Sequence, residues 1–327
     1  MVTLPKHLIM IINSRRHFIR NTALLIAAGS LPLSAKALGN LFKERKFKMS
    51  LNPGALGVSL DQFELLEAAS TFGFEAIVAY PDQLAKMTRE QLSTLQEEMF
   101  MRQISWGSAG LPVQFREDEQ TFRKDLEQLP RLAEALSKAG ALRMNTWIMP
   151  THDTLTYREN YHQHADRLRE IGRIIGHYGI DLGLEYVGPK TLMTRDKFSF
   201  IRTMKEVKEL IEAIGLKNVK VQLDSFHWYC AGESAVDILT LSKDDIVTVD
   251  LNDARAGFTA DEQIDNKREL PLASGVIDLK AFLGALVQIG YDGPIRAEPF
   301  NQALRDMPDK EALQATYSAM NKAFNLV

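Results

Sequence analysis

Two hydrophobic patterns alternate along the chain. Short runs of β-branched and apolar residues give way to longer stretches in which apolar residues recur every three or four positions. The first pattern suits buried strands and the second amphipathic helices. Phe47-Lys-Met-Ser-Leu-Asn52 reads as a first strand, and a helix over 60–72 follows, with Asp61 near its start and Gly73 at its end. Residues 74–80 form a second strand stopped by Pro81, and 88–102 an amphipathic helix. Residues 103–107 are a third strand ending near Trp106, followed by a helix over 122–139 and a fourth strand over 141–149. The pattern continues with helix 157–178, strand 180–186, helix 198–214, strand 219–224, a short helix near 235–241 and strand 246–251. A polar loop over 254–275 precedes a helix that Asp278 caps, strand 295–298 and a last helix over 309–324.

Eight strands, each followed by a helix or helical loop, predict an α/β fold of the (β/α)8 TIM-barrel type, a single domain over 47–327. The competitor is an open doubly wound sheet, which usually carries a glycine-rich nucleotide loop after its first strand. Asn52-Pro-Gly-Ala-Leu-Gly57 lacks that spacing and reads as a turn.

The chemistry sits in four strand ends. Leu182-Gly-Leu-Glu185, Val219-Lys-Val-Gln-Leu-Asp224, Val247-Thr-Val-Asp250 and Ile295-Arg-Ala-Glu298 each end in an acid, and His227 follows Asp224 by three residues. Barrel chemistry belongs at the C-terminal ends of the strands. Four carboxylates pointing inward there would repel one another unless a cation joined them. An all-oxygen cage suits a hard divalent ion, Mn²⁺ or Mg²⁺. Singly, each residue has a plainer reading: Asp224 as a helix cap, Asp253 in place of Asp250, His227 as a satisfied buried histidine. Further residues expected at the mouth are Trp106, for stacking on a sugar face, and His152 and Lys190, for polar contacts to substrate; His162 and His164 read as surface residues.

The 327 residues are 45% hydrophobic and 25% charged, ordinary for a globular chain. The single cysteine, Cys230, excludes an internal disulfide and a cysteine-rich zinc site. Residues 1–37 read as a separate unit: the twin-arginine pattern Ser14-Arg-Arg-His-Phe-Ile-Arg20, an apolar run from Thr22 to Leu33, and Ser34-Ala-Lys-Ala37 as a cleavage site. That run is short of the about 20 residues a membrane span needs, so cleavage leaves no stable span. The expectation is a protein handed to the Tat export machinery and released as periplasmic or secreted, with residues 38–46 as a tether. Removing 1–37 takes Lys+Arg from 39 to 34 against 42 Asp+Glu, a net charge of −8. An acidic surface argues against nucleic acid as a partner. A homo-oligomer is compatible with the chain.

From about Phe47 onward the sequence resembles the xylose-isomerase-like barrels of the sugar isomerase and epimerase class. The resemblance rests on Leu184-Glu185, Leu223-Asp224-Ser-Phe-His227, Asp250-Leu-Asn-Asp253, Arg296-Ala-Glu298-Pro and the loop Leu270-Pro-Leu-Ala-Ser-Gly275-Val-Ile-Asp278. It implies Glu185, Asp224, Asp250 and Glu298 as metal ligands, with Asp250 standing where histidine is usual, a change that weakens the case for zinc. It implies His227 and Arg255 as substrate contacts. The implied reaction is proton transfer beside a carbonyl through a metal-stabilised enediolate, with Glu185 and Glu298 as the catalytic pair and a sugar or keto-sugar as substrate. Two alternatives stay open: a lyase or hydrolase of keto-sugars or glycosides on the same site, and a metal-free carbohydrate-binding barrel.

Overall fold

A computed structural model describes residues 45–327. The expected signal segment 1–37 and residues 38–44 of the tether lie outside the described residues. Eight parallel strands close on themselves: β1 (Lys48–Leu51), β2 (Ala76–Ala79), β3 (Ser105–Gly110), β4 (Arg143–Ile148), β5 (Asp181–Tyr186), β6 (Val219–Asp224), β7 (Ile246–Asp250) and β8 (Pro294–Arg296). Neighbours in sequence are neighbours in the barrel, and β8 pairs with β1 to close it. A two-stranded ribbon, Thr151–His152 with Phe198–Ser199, stands beyond β4. The strands are short, and β2 and β7 are wholly buried, because helices cover one face and barrel contents the other.

Local sequence explains the helices. Gln62–Phe72 starts from Asp61, whose side chain accepts the amides of Phe63 and Glu64 while Glu64 reaches back. Thr156 and Thr203 cap Tyr157–His177 and Met204–Ile214 with the same reciprocal box. Asp278 caps Leu279–Ile289, as its sequence position suggests. The stripes of these helices, such as Leu168, Ile171 and Ile175, are fully buried against the strands. Among the described residues no helix is long and apolar enough to cross a membrane.

The structure departs from the sequence reading at three places. Gln103 has φ 57°, so the chain is still turning there and β3 begins at Ser105 rather than 103. Trp106 therefore lies at the start of its strand. Phe198 and Ser199 join the ribbon, which delays the following helix to Met204. His164 is not a surface residue: it is 2% exposed, on the same face of its helix as Leu168 and Ile171.

Candidate active site at the strand ends

Alternation along the strands brings the acids together. Gln222 and Asp224 share one face of β6, and Arg296 and Glu298 share one face at the end of β8. Between neighbouring strands Glu185 aligns with Gln222, Asp224 with Asp250, and Asp250 with Arg296. One oxygen from each of Glu185, Asp224, Asp250 and Glu298 lies within 4.8 Å of the others. A second, overlapping set joins Glu185 and Asp224 to a ring nitrogen of His227. Asp224 and Asp250 are fully buried, Glu185 nearly so.

Two guanidinium groups enter this cluster. Arg296 Nε donates to Asp250 Oδ1 at 2.5 Å and Nη2 to Asp250 Oδ2 at 3.1 Å, while Nη1 reaches Ser108 Oγ at 3.3 Å. Arg268 Nη1 donates to Asp224 Oδ2 at 2.6 Å and lies 3.4 Å from Glu298 Oε2. Its Nη2 binds Asp265 Oδ1 at 2.7 Å, and its guanidinium sits between the rings of Phe226 and Phe300, 5.0 and 4.9 Å from their centroids. Gln222 Nε2 bridges Glu185 Oε1 at 2.8 Å and Asp250 Oδ2 at 2.7 Å. Asn252 Nδ2 donates to both Asp224 oxygens at 3.2 Å, and its Oδ1 accepts the Glu298 amide at 2.8 Å. Phe226 N also donates to Asp224, so Asp224 caps the helix Ser225–Ala231 as well as facing the cluster.

His227 is 1% exposed, and burial together with the Arg268 charge holds its pKa down at about 3. Arg268 Nη2 lies 3.1 Å from His227 Nε2. A guanidinium can only donate, so Nε2 accepts and the proton sits on Nδ1. His227 is thus a neutral acceptor, 4.0 Å from Glu185 Oε2 and 3.8 Å from Asp224 Oδ2.

The electrostatics separate the four acids. Burial raises Glu298 to about 8, with the Asp250 charge adding and Arg296 and Arg268 opposing. Burial and the three neighbouring carboxylates push Glu185 well above the usual range. Burial raises Asp224 to about 6 against the pull of Arg268. Two clustered glutamates with raised pKa values make a set suited to general acid–base work.

The residues fit a divalent cation in number and hardness, since four carboxylates converge and, when all four are ionised, two guanidiniums balance only half their charge. The fit is uneven. Asp250 gives both oxygens to Arg296, and Asp224 gives one to Arg268. Glu185 Oε2 and the Glu298 carboxylate retain the most accessible lone pairs.

Of the other residues expected at the mouth, Trp106 is at the opposite end. Its Nε1 donates to Ala139 O at 2.8 Å, and it lines a cavity of about 460 Å³ with Lys48, Arg143 and Pro294, all at strand starts. The late start of β3 is the reason. Arg255 is not on the carboxylates: it packs over Phe258 at 4.1 Å. The arginine of this loop that reaches them is Arg268, and Asp253 and Glu269 pair as an antiparallel bridge that folds the loop back on itself. Lys190 pairs with Asp261 at 2.6 Å rather than with the cluster. His152 is turned into its own loop, its Nδ1 accepting the Thr154 and Leu155 amides. Asp253 does not replace Asp250, since its carboxylate accepts the amides of Ala254, Ser274, Gly275 and Ile277 and shapes the loop. Arg268, Gln222 and Asn252 were missed in the sequence. Gln222 carries a signal, two positions before Asp224 on the same face.

A closed parallel barrel with an acidic cluster at its C-terminal mouth defines a class of β/α-barrel enzymes. The chain belongs to the xylose isomerase-like TIM barrel family, whose profile matches residues 66–322. It is 24% identical over 214 residues to an inosose isomerase of Bacillus velezensis, covering 63% of this chain and 72% of that one. Its fold superposes on a xylose isomerase domain protein of Alicyclobacillus acidocaldarius with a TM-score of 0.75 at 28% identity, covering 86% of this chain and 99% of that one. It also superposes on the IOLI protein solved with a zinc atom, with a TM-score of 0.70 at 21% identity, covering 85% and 98% of the two chains. The last likeness speaks to the fold alone.

Proposed function

We propose that the protein is a divalent-metal-dependent isomerase or epimerase of a small keto-sugar or keto-polyol. The observation that carries this reading is the convergence of Glu185, Asp224, Asp250 and Glu298 within 4.8 Å at the mouth of a barrel of this family. The similarity to an inosose isomerase supports a cyclic or open polyol ketone as the substrate class. Glu185, Asp224 and Glu298 would hold the cation, with Asp250 as a fourth, charge-balanced neighbour. Oxygen-only donors favour Mn²⁺ or Mg²⁺ over zinc. When bound, the cation polarises a substrate carbonyl and offsets the negative charge that develops on its oxygen.

The chain's own residues do the rest. One of Glu185 and Glu298 takes a proton from the carbon beside the carbonyl. The other returns one: to the opposite face of the same carbon for epimerisation, or to the former carbonyl carbon, with a hydroxyl proton passing between the two oxygens, for isomerisation. Neutral His227 and the fixed Arg268 guanidinium orient substrate hydroxyl and carbonyl oxygens. Incubation with candidate sugars and inososes in deuterated water with Mn²⁺, Mg²⁺ or Co²⁺ tests the reading. Deuterium should enter a carbon-bound position, and Glu298→Gln should abolish the exchange while leaving the fold intact. No exchange with any candidate, or normal turnover by the variant, would defeat it.

We also propose that the protein is exported. The reading rests on the twin arginines at 15–16, the apolar run after them and Ser34-Ala-Lys-Ala37. Cell fractionation of the full chain against an Arg15→Lys/Arg16→Lys variant tests it, and an unchanged distribution would count against export.

A further inference from the structure

The loop after β3, on the mouth side, carries an arginine that the proposed chemistry does not use. Arg116 stacks its guanidinium 3.8 Å from the ring centroid of Trp147 and 4.5 Å from that of Phe115. Its Nη1 donates to Trp147 O at 2.7 Å and Thr146 Oγ1 at 3.3 Å. Among the described residues it makes no ion pair and no hydrogen bond through Nε or Nη2. Burial lowers its pKa to about 10, with the Glu117 charge opposing. The guanidinium is half-buried, and Nε and Nη2 are left free to donate to a ligand.

Trp147 fixes where this group lies. Asn145, two residues earlier on β4, faces the barrel interior, with its Oδ1 3.4 Å from Arg296 Nη1. Trp147 shares that face and aligns with Glu185 on the adjacent strand, about 4.8 Å away at ordinary strand spacing. It is 39% exposed at the rim. A substrate with its reacting carbons at Glu185 and Glu298 would have Trp147 beside it, with Arg116 stacked on that ring.

We propose that Arg116, held flat on Trp147, is a specificity-determining subsite for an anionic substituent of the substrate, a carboxylate or a phosphate. The fork of Nε and Nη2 matches two oxygens of either group. The aromatic face beneath fixes the plane of the guanidinium and lowers the entropy lost on binding. The position of the subsite along the substrate rests on the isomerase reading given above, but the test does not depend on turnover.

The experiment is calorimetric titration of the Mn²⁺-loaded full chain with glucose, glucuronate and glucose 6-phosphate. At least one anion should bind about tenfold or more tightly than glucose. Arg116→Met should erase that preference and leave glucose binding unchanged, and Arg116→Lys should keep part of it. Should Arg116→Met not fold, Arg116→Gln takes its place. The stronger of the two anion arms identifies the source of the charge. An absent anion preference in the wild type, or one that survives loss of the guanidinium, overturns the proposal. A chain that shows the preference without deuterium exchange keeps this subsite and loses the isomerase reading.

Discussion

Arg296 and Asp250 face each other as aligned residues of adjacent barrel strands and join through two parallel hydrogen bonds, Nε to Oδ1 at 2.5 Å and Nη2 to Oδ2 at 3.1 Å. The negative charge that Asp250 brings to the cluster is answered on the next strand. The pair is fully desolvated, so losing one partner strands the other. Arg296→Met should destabilise the metal-free protein by ~3–5 kcal/mol, and Asp250→Asn on top of it should recover most of that. Urea unfolding in a chelator measures both. Single variants within about 1 kcal/mol of wild type would show that the pair is not coupled.

Arg268 competes with any cation for the same oxygens, since it touches Asp224 and approaches Glu298. Removing a unit charge a few ångströms from an ion changes its energy by several kcal/mol at most, at an effective dielectric of about 20. Arg268→Met should therefore tighten Mn²⁺ binding, by about one to two orders of magnitude, while lowering kcat/KM through loss of a substrate-orienting donor. Calorimetry with Mn²⁺ and an exchange assay report the two effects separately. Weaker Mn²⁺ binding in the variant would mean that Arg268 supports the cation site rather than opposing it.

The barrel and its acids were legible because they depend on local order. Strand alternation and four carboxylates at strand ends are visible one segment at a time. The errors came from what is not local. The loop that carries Arg268 is folded back on itself by the Asp253–Glu269 bridge, which no periodicity announces. Trp106 was placed at the wrong end of the barrel by a two-residue shift of β3, caused by the turn at Gln103. His164 is a different case: the buried Leu168 and Ile171 stand four and seven positions on, so helical spacing already placed it inside.

Gly188 shows how tightly the mouth is built. A Cβ there would stand 2.3 Å from the carbonyl oxygen of His227 and 3.1 Å from its Cα. Those are backbone atoms of the short helix Ser225–Ala231, and they cannot swing aside as a side chain can. Gly188→Ala should displace that helix, cost ~1–3 kcal/mol of stability, and reduce exchange by moving His227 away from Glu185. Thermal melts and the exchange assay check it. Wild-type values in both would show that the segment after Glu185 has room to shift.

Acid should act through His164. Its Nδ1 lies 2.9 Å from Asn160 O, its Nε2 has no partner, and the rings of Phe200 and Phe115 enclose it at 4.9 and 5.4 Å. Burial lowers its pKa from 6.5 to about 3, with Arg116 and Arg167 adding to the effect. The unfolded chain therefore takes up this proton first. The folded state gives away nothing above pH 6.5, and loses stability as pH falls from 6.5 toward 3. The slope contributed by one such group approaches ~1.4 kcal/mol per pH unit within that window. His164→Leu removes the group and keeps an apolar body between the two phenylalanines. Its urea midpoint should change less than that of wild type between pH 7 and pH 4.5, so the variant gains on wild type as the solution becomes more acid. Parallel pH profiles for the two proteins would show that the acid sensitivity lies elsewhere, with neutral His227 at the carboxylate cluster the next residue to replace.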